Sequence, residues 1–255
     1  IVSLIYFLGA RREEYYERVR MTVPVGLEKF LNVMAGITMF FYVAVNTNIA
    51  WDFGMMIIKH WESTIFPAYY WASNIFAGSA FLYLIANHYI NKRTGKALDK
   101  EHLESMSVFL LGFTLLWIYM FWSQYIVLWY GDMPGLTAPF NKSMQGYYAK
   151  FFVVMMLGLF ALPFLALIVR SLKMCLFSVL TVSVIICIGV WVSRYLMILP
   201  VFEDGSSPAF ATWTNFALVS GGAAMTVLSV KAFQRLFPEV SVTTTEAGEK
   251  HHDGH

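Results

Sequence analysis

The sequence predicts an all-α polytopic membrane helical bundle of six full transmembrane helices, preceded by part of another. Three observations carry this. Of the 255 residues, 58% are hydrophobic and only 13% are charged, whereas a soluble domain is about a quarter charged. Six apolar runs are long enough to cross a bilayer, which takes about 20 helical residues. Basic residues alternate between rich and poor connections, as in a chain threaded back and forth through a membrane.

The elements follow in order. Residues 1–8 (IVSLIYFL) read as the tail of an earlier helix. The chain opens at Ile1 inside an apolar run, which predicts that further residues precede it. Residues 1–24 are that helix end and a basic connection, 25–236 the transmembrane bundle, and 237–255 a polar tail. The spans are placed at 27–49, 66–90, 105–130, 148–170, 174–199 and 208–233. Pro67 suits the first turn of the second span, and Gly131-Asp132-Met133-Pro134 closes the third.

Arg11, Arg12, Arg18 and Arg20 precede the first span; Lys92, Arg93, Lys96 and Lys100 follow the second; Arg170 and Lys173 follow the fourth. The intervening segments 50–65, 131–147 and 200–207 hold only Lys59, only Lys142 and no basic residue. The positive-inside rule then puts these segments outside and the C-terminus in the cytoplasm. Trp51, Trp61, Trp71, Trp122, Trp129, Trp191 and Trp213 map to the outward half. An interfacial aromatic belt or a docking face would place them so.

Several function classes are disfavoured. Cys175 and Cys187 share one span without a CxxC or CxxCH motif, which argues against an iron–sulfur ligand set or c-type haem in this chain. His60 and His102 lie in connections, His88 near a helix end, and His251, His252 and His255 in the tail. None stands where a b-type haem would need it. No metal site, cofactor or catalytic residue is therefore expected here. There is no phosphate-cradling loop and no hydrolytic triad, and nothing favours nucleic acid.

Polar residues inside the spans are the informative ones, because each needs a partner in lipid. At 100° per residue, Glu28, Asn32, Thr38, Tyr42 and Asn46 fall within about 120° of one another and run about 27 Å. Such a stripe glues helices together or carries protons along hydroxyls and amides. Ser123 and Gln124 sit in the apolar FWSQYIVLWYGDMP segment. Asp52, His60 and Asp132 would complete a proton path on the outward side. Arg194 lies about 9 Å inside the outer helix end. Glu62, Glu203, Asp204, Asp132 and Asp52 are its candidate partners, and with Glu62, Glu203 and Asp204 it forms an outward charge cluster. The last span carries Ser220, Gly221, Gly222, Ala223, Ala224 and Thr226, small residues that let helices approach closely.

Four segments share a resemblance: HWESTIFPAYYWASNIFAGS (60–79), LLGFTLLWIYMFWSQYIVLWYGDMP (110–134), LGLFALPFLALIVRSLK (157–173) and GVWVSRYLMILP (189–200). In order and spacing they resemble an NrfD-like integral membrane subunit of the ActF type, from alternative complex III, the quinol:cytochrome c oxidoreductase. The resemblance implies that these spans form the second of two four-helix bundles plus the final helices. It implies a cofactor-free subunit in a bacterial inner membrane that supports assembly and offers a proton route. Menaquinone or ubiquinone, haem c and iron–sulfur clusters then belong to partner subunits: an NrfD-like paralogue, an iron–sulfur protein, and multihaem and monohaem cytochromes c. Against the family pattern, Glu62 intrudes after His60-Trp61, Asp132 replaces an Asn-containing turn, Leu159 stands for a histidine and Ser193 for an acid.

Three functions are compatible with these residues. One is a supporting, proton-conducting subunit of a quinol-oxidising complex, which the resemblance favours. Another is a quinone-binding subunit of a polysulfide-reductase-like complex, with the head group near His60, Asp132 or Arg194. The third is a secondary transporter, which would favour inverted repeats and broken helices around a mid-membrane site; neither is evident in the sequence.

Overall fold

The helix α3 (Lys100–Gly131) shows how this chain builds its interior. Besides Ile118, its buried positions are Leu103, Ser107, Leu110, Thr114, Trp117, Phe121, Gln124 and Leu128. They step alternately by four and three residues, the heptad spacing of helices packed side by side. Val108, Leu115, Tyr119, Trp122, Ile126 and Trp129 on the other faces are exposed. The buried stripe therefore holds the polar residues, while the exposed faces are as apolar as a lipid contact requires.

The computed structural model describes residues 25–58, 61–94, 100–131, 134–202 and 213–236. Helix α1 (Val25–Ala50) runs into a π turn (Trp51–Met55). Helix α2 (Phe66–Thr94) and α3 follow, and α4 (Pro134–Met144) is a short helix in what the sequence places as an outward connection. After a 3₁₀ turn (Gly146–Tyr148), helix α5 (Ala149–Met156) passes through a second π turn (Leu157–Ala161) into α6 (Leu162–Ile168). The chain ends with α7 (Arg170–Lys173), α8 (Leu176–Phe202) and α9 (Trp213–Leu236). No strand occurs among the described residues.

Gly26–Met55, Leu103–Gly131, Gly146–Ile168 and Leu176–Val201 are long and apolar enough to cross a membrane. The other two expected spans are helices as well, but more polar. Helix α2 carries Ser73, Asn74, Ser79, Asn87 and His88, and the apolar stretch of α9 covers only Phe216–Ser229. Pro200 lies inside α8 rather than at its end.

The chain divides into two units, residues 41–207 and residues 1–40 with 208–255. In the first, α2 packs most extensively on α8, then on α3; α8 also contacts α5 and α6, and α3 contacts α6. The buried hydroxyls of Ser73, Thr114 and Ser183 each donate to a carbonyl four residues earlier, which satisfies them without a neighbouring helix. Ser107 binds both its own-helix Leu103 carbonyl at 2.7 Å and the Lys173 carbonyl at 3.1 Å. With the Lys173–Glu104 ion pair at 3.3 Å, this ties α7 to the start of α3.

The π turn at Leu157–Ala161 meets α8 glycine to glycine. A Cβ added at Gly158 would lie 3.5 Å from the Gly189 Cα, and one at Gly189 only 2.9 Å from Leu159 Cδ2. Leu159 is fully buried there, so the crossing distance depends on the missing Cβ.

The second unit is described by the 25–40 part of α1 and by α9. Residues Phe216 to Ser229 of α9 are all exposed. A Cβ at Gly221 or Gly222 would meet nothing within 4 Å. Within this unit, the small-residue patch expected to pack meets no neighbour at Gly221 or Gly222.

Gly189→Val is expected to lower stability by about 1–3 kcal/mol, the usual range for overpacking a filled core. A thermal melt of the detergent-purified chain checks this, with Gly221→Val, at an open position, as the control that leaves the melt unchanged.

Candidate functional site

Where α1 ends and α2 begins, six segments of the larger unit line a cavity of about 280 Å³. Ile58 and Trp61 come from the connection, Phe66 and Tyr69 from the first turn of α2, and Phe121 and Gln124 from α3. Ala138, Phe140, Lys142 and Ser143 come from α4; Phe152 and Met155 from α5; Ser193, Leu196, Met197, Pro200 and Val201 from α8.

Aromatic rings form a connected part of this wall. Trp61 meets the Phe66 ring edge-on at 5.0 Å and lies 6.3 Å from Phe140. Tyr69 lies 5.9 Å from Trp117, which stacks on Phe121 at 5.5 Å; Phe121 in turn lies 6.0 Å from Phe152. Gly54 of the π turn makes room for Phe66, whose Cε1 would be 2.7 Å from an added Cβ.

Three polar features stand out among those that interrupt the apolar lining, which also include Lys142 and Ser143. Gln124 is 4% exposed, and its Nε2 has no hydrogen-bond partner among the described residues. The buried Nε1 of Trp61 likewise has none. An unmet buried donor costs about 1–3 kcal/mol, and both stand on residues that line the cavity. Third, the Tyr69 hydroxyl and Ser193 Oγ share a hydrogen bond at 3.0 Å in which either can donate.

Beside this wall runs a second polar connection between α2 and α8. Arg194 Nη2 donates to the Tyr70 carbonyl at 3.0 Å and to Asn74 Oδ1 at 2.9 Å. Its Cζ stands 3.8 Å from the centre of the Tyr70 ring, within cation–π reach. Asn74 Nδ2 donates to Asn46 Oδ1 at 2.8 Å, and Asn46 Nδ2 to the Tyr42 carbonyl at 2.9 Å. Three helices are thus joined by one run of amides ending on a cation.

The structure places the residues singled out in the sequence in different settings. Asn46, Gln124 and Arg194 are brought into the interior, and Tyr42 supplies the carbonyl that receives Asn46. Ser123, beside Gln124, is half-buried and is not among the cavity-lining residues. Glu28 and Asn32 are exposed in the smaller unit, and Thr38 Oγ1 bonds the Met34 carbonyl of its own helix at 2.7 Å. Asp52 and Glu62 are exposed, and neither forms an ion pair with Arg194, whose described partners are all neutral. His60, Asp132, Glu203 and Asp204 lie outside the described residues. Among the described residues, no group of three or more His, Cys, Asp or Glu could hold a metal.

Sequence reasoning passed over Asn74 and Tyr69, and noted Trp61 only within the outward tryptophan group and Ser193 only as a departure from the family pattern. Asn74 was visible as an amide deep in the second span, one turn after Tyr70. The Tyr69–Ser193 pair joins residues 124 apart, which helical periodicity alone does not bring together.

Asn74→Leu removes an acceptor from Arg194 and a donor to Asn46 at once. It should cost about 2–4 kcal/mol, because a buried charge loses a partner. Asn46→Leu should cost only about 1 kcal/mol, since it leaves Arg194 bonded. Chemical unfolding of the two variants in mixed micelles checks the order.

Comparison with curated proteins finds no match. The family model described as Polysulphide reductase, NrfD, matches residues 2–203. Its span takes in α1 to α8 and every residue lining the cavity. With four helical stretches long and apolar enough to cross a bilayer, the chain is a multi-pass membrane protein that belongs to the NrfD polysulphide reductase family.

Proposed function

We propose that the chain is a membrane subunit of a respiratory quinol:acceptor oxidoreductase complex of the alternative complex III type, and that its cavity receives a quinone or quinol head group. The observation that carries the quinone reading is the Gln124 amide, buried with an unmet Nε2 in an aromatic cavity of about 280 Å³. Small-molecule sites are mostly apolar with a few converging polar groups, and this volume lies near the lower end of their roughly 300–1,000 Å³ range. A substituted ring fits it, and its carbonyl oxygens are acceptors for Gln124 Nε2 and Trp61 Nε1. The family match supports the same ligand class. The ActF-like motifs support the assignment to alternative complex III.

A bound quinone would supply two-electron, two-proton chemistry. The chain's own part is to bind and orient the ring between aromatic walls and to exclude water. The Tyr69–Ser193 hydroxyl pair holds a proton at the wall. The redox partners, haem c and iron–sulfur clusters, sit in neighbouring subunits: an NrfD-like paralogue, an iron–sulfur protein and the cytochromes c. In a bacterial inner membrane with the C-terminus cytoplasmic, the cavity faces the outer leaflet. Of the sequence-based functions, we favour a subunit with a head-group cavity over a supporting subunit with no ligand of its own.

Gln124→Leu should weaken binding of a short-tailed quinone about tenfold, the loss of one hydrogen bond at a buried donor. Quenching of tryptophan fluorescence by the added quinone reads this directly, since Trp61 lines the cavity. Affinity unchanged by the substitution would remove the quinone reading.

A second function is supported by the Asn46–Asn74–Arg194 run. It offers part of a proton route in which Glu28, Asn32, Thr38 and Tyr42 provide the inner section and Asp52, His60, Ser123, Gln124 and Asp132 the outer. Replacing Asn32, Thr38 and Asn46 together by apolar residues should lower the proton-to-electron ratio of the intact complex in vesicles. An unchanged ratio at normal electron flux would exclude the route.

A further inference from the structure

Arg194 carries a full charge into the bundle, yet each of its described partners is neutral: the Tyr70 carbonyl, Asn74 Oδ1 and the Tyr70 ring. Its Nη1 is buried and has no acceptor among the described residues. The described acids at this end of the bundle, Asp52 and Glu62, are exposed and do not pair with it. Inside protein, a charge left uncompensated acts on its surroundings far more strongly than in water.

The charge stands next to the cavity wall by chain connectivity. Tyr69 and Ser193 line the cavity and bond each other; Tyr70 and Arg194, the next residue on each helix, bond each other. Two adjacent rungs thus join α2 and α8, one on the cavity wall and one carrying the cation.

We infer that Arg194 adds to Lys142 of the cavity wall in setting the charge preference of the cavity: a ring ligand with an ionised oxygen at the Tyr69–Ser193 wall binds more tightly than the same ring with neutral oxygens. The inference rests on the quinone reading and adds to it which chemical form is preferred. Arg194 touches no ligand in this account. It is a positioning residue that acts through its field and by holding α8 to α2. The expected preference is about tenfold, or ~1.4 kcal/mol.

The test compares two probes on the full chain, purified in detergent with its accompanying subunits. One is a naphthoquinone with a single acidic ring hydroxyl, ionised at neutral pH; the other is its methyl ether, the same ring without the charge. In the unaltered protein the ionised probe should bind about tenfold more tightly than the ether. Arg194→Lys should keep most of that preference, and Arg194→Gln should cut it several-fold, leaving what Lys142 supplies. Asn74→Asp gives a second route to the same outcome: it keeps Arg194 and the position of its contact while supplying a counter-charge, so the preference should fall toward one. A thermal melt run alongside separates any variant that fails to fold, and Asn74→Asp then decides. If the protein binds both probes and the ratio stays put in Arg194→Gln and Asn74→Asp, the inference is overturned and the quinone site stands. If the unaltered protein binds neither, or Gln124→Leu leaves the affinity for both unchanged, the quinone reading itself fails and this inference with it.

Discussion

The pairing of α2 with α8 is the contact on which the rest depends. In lipid there is little hydrophobic drive to bring two apolar helices together, because the surrounding chains are as apolar as leucine. Two polar rungs supply the specificity instead: Tyr69 with Ser193, and Tyr70 and Asn74 with Arg194. They set the register of one helix on the other. That register places Ser193, Leu196 and Met197 against the first turns of α2, and so defines one wall of the cavity. The glycine crossing at Gly158 and Gly189 lets α8 also close against the π turn that follows α5.

The cation and the unmet amide solve different problems. Arg194 is costly in an apolar interior unless donors find acceptors, and it recruits a backbone carbonyl, an amide oxygen and an aromatic face to meet that need. Gln124 recruits no partner for its Nε2. A bundle that satisfies Ser73, Thr114 and Ser183 within their own helices has the means to satisfy or omit a glutamine. Gln124 is retained in a cavity wall that holds a second unmet donor, on Trp61.

Much of the architecture was legible in the sequence because length and apolarity are strong signals. The six spans emerge as helices within a few residues of their expected bounds. What hydropathy could not show was which face is inside. Along α3, Ser107, Thr114 and Gln124 point inward while Val108, Leu115 and Ile126 point out, so the usual rule of apolar in and polar out is reversed or cancelled. The polar residues themselves were the better guide: Asn46, Gln124 and Arg194 were all visible from sequence. Their partners were not, since Asn74 and Ser193 become adjacent to them only through helix packing. The π turns and the short helix α4 also escaped notice. A π turn needs one extra residue in a helical turn and leaves no residue-type signature, and α4 is shorter and more polar than a span.

The heptad spacing of α3 has a consequence for the cavity. Gln124 occupies a regular core position between Phe121 and Leu128, and so belongs to the same ladder of interlocking side chains as the rest of the helix. In the language of knobs and holes, it is a knob facing a hole that no opposing side chain fills. The empty space thus lies beside a regular step of the seam. A bulkier neighbour could close such a vacancy and a smaller one enlarge it while every helix keeps its place. On this scaffold, the capacity to hold a ligand is separable from the capacity to fold.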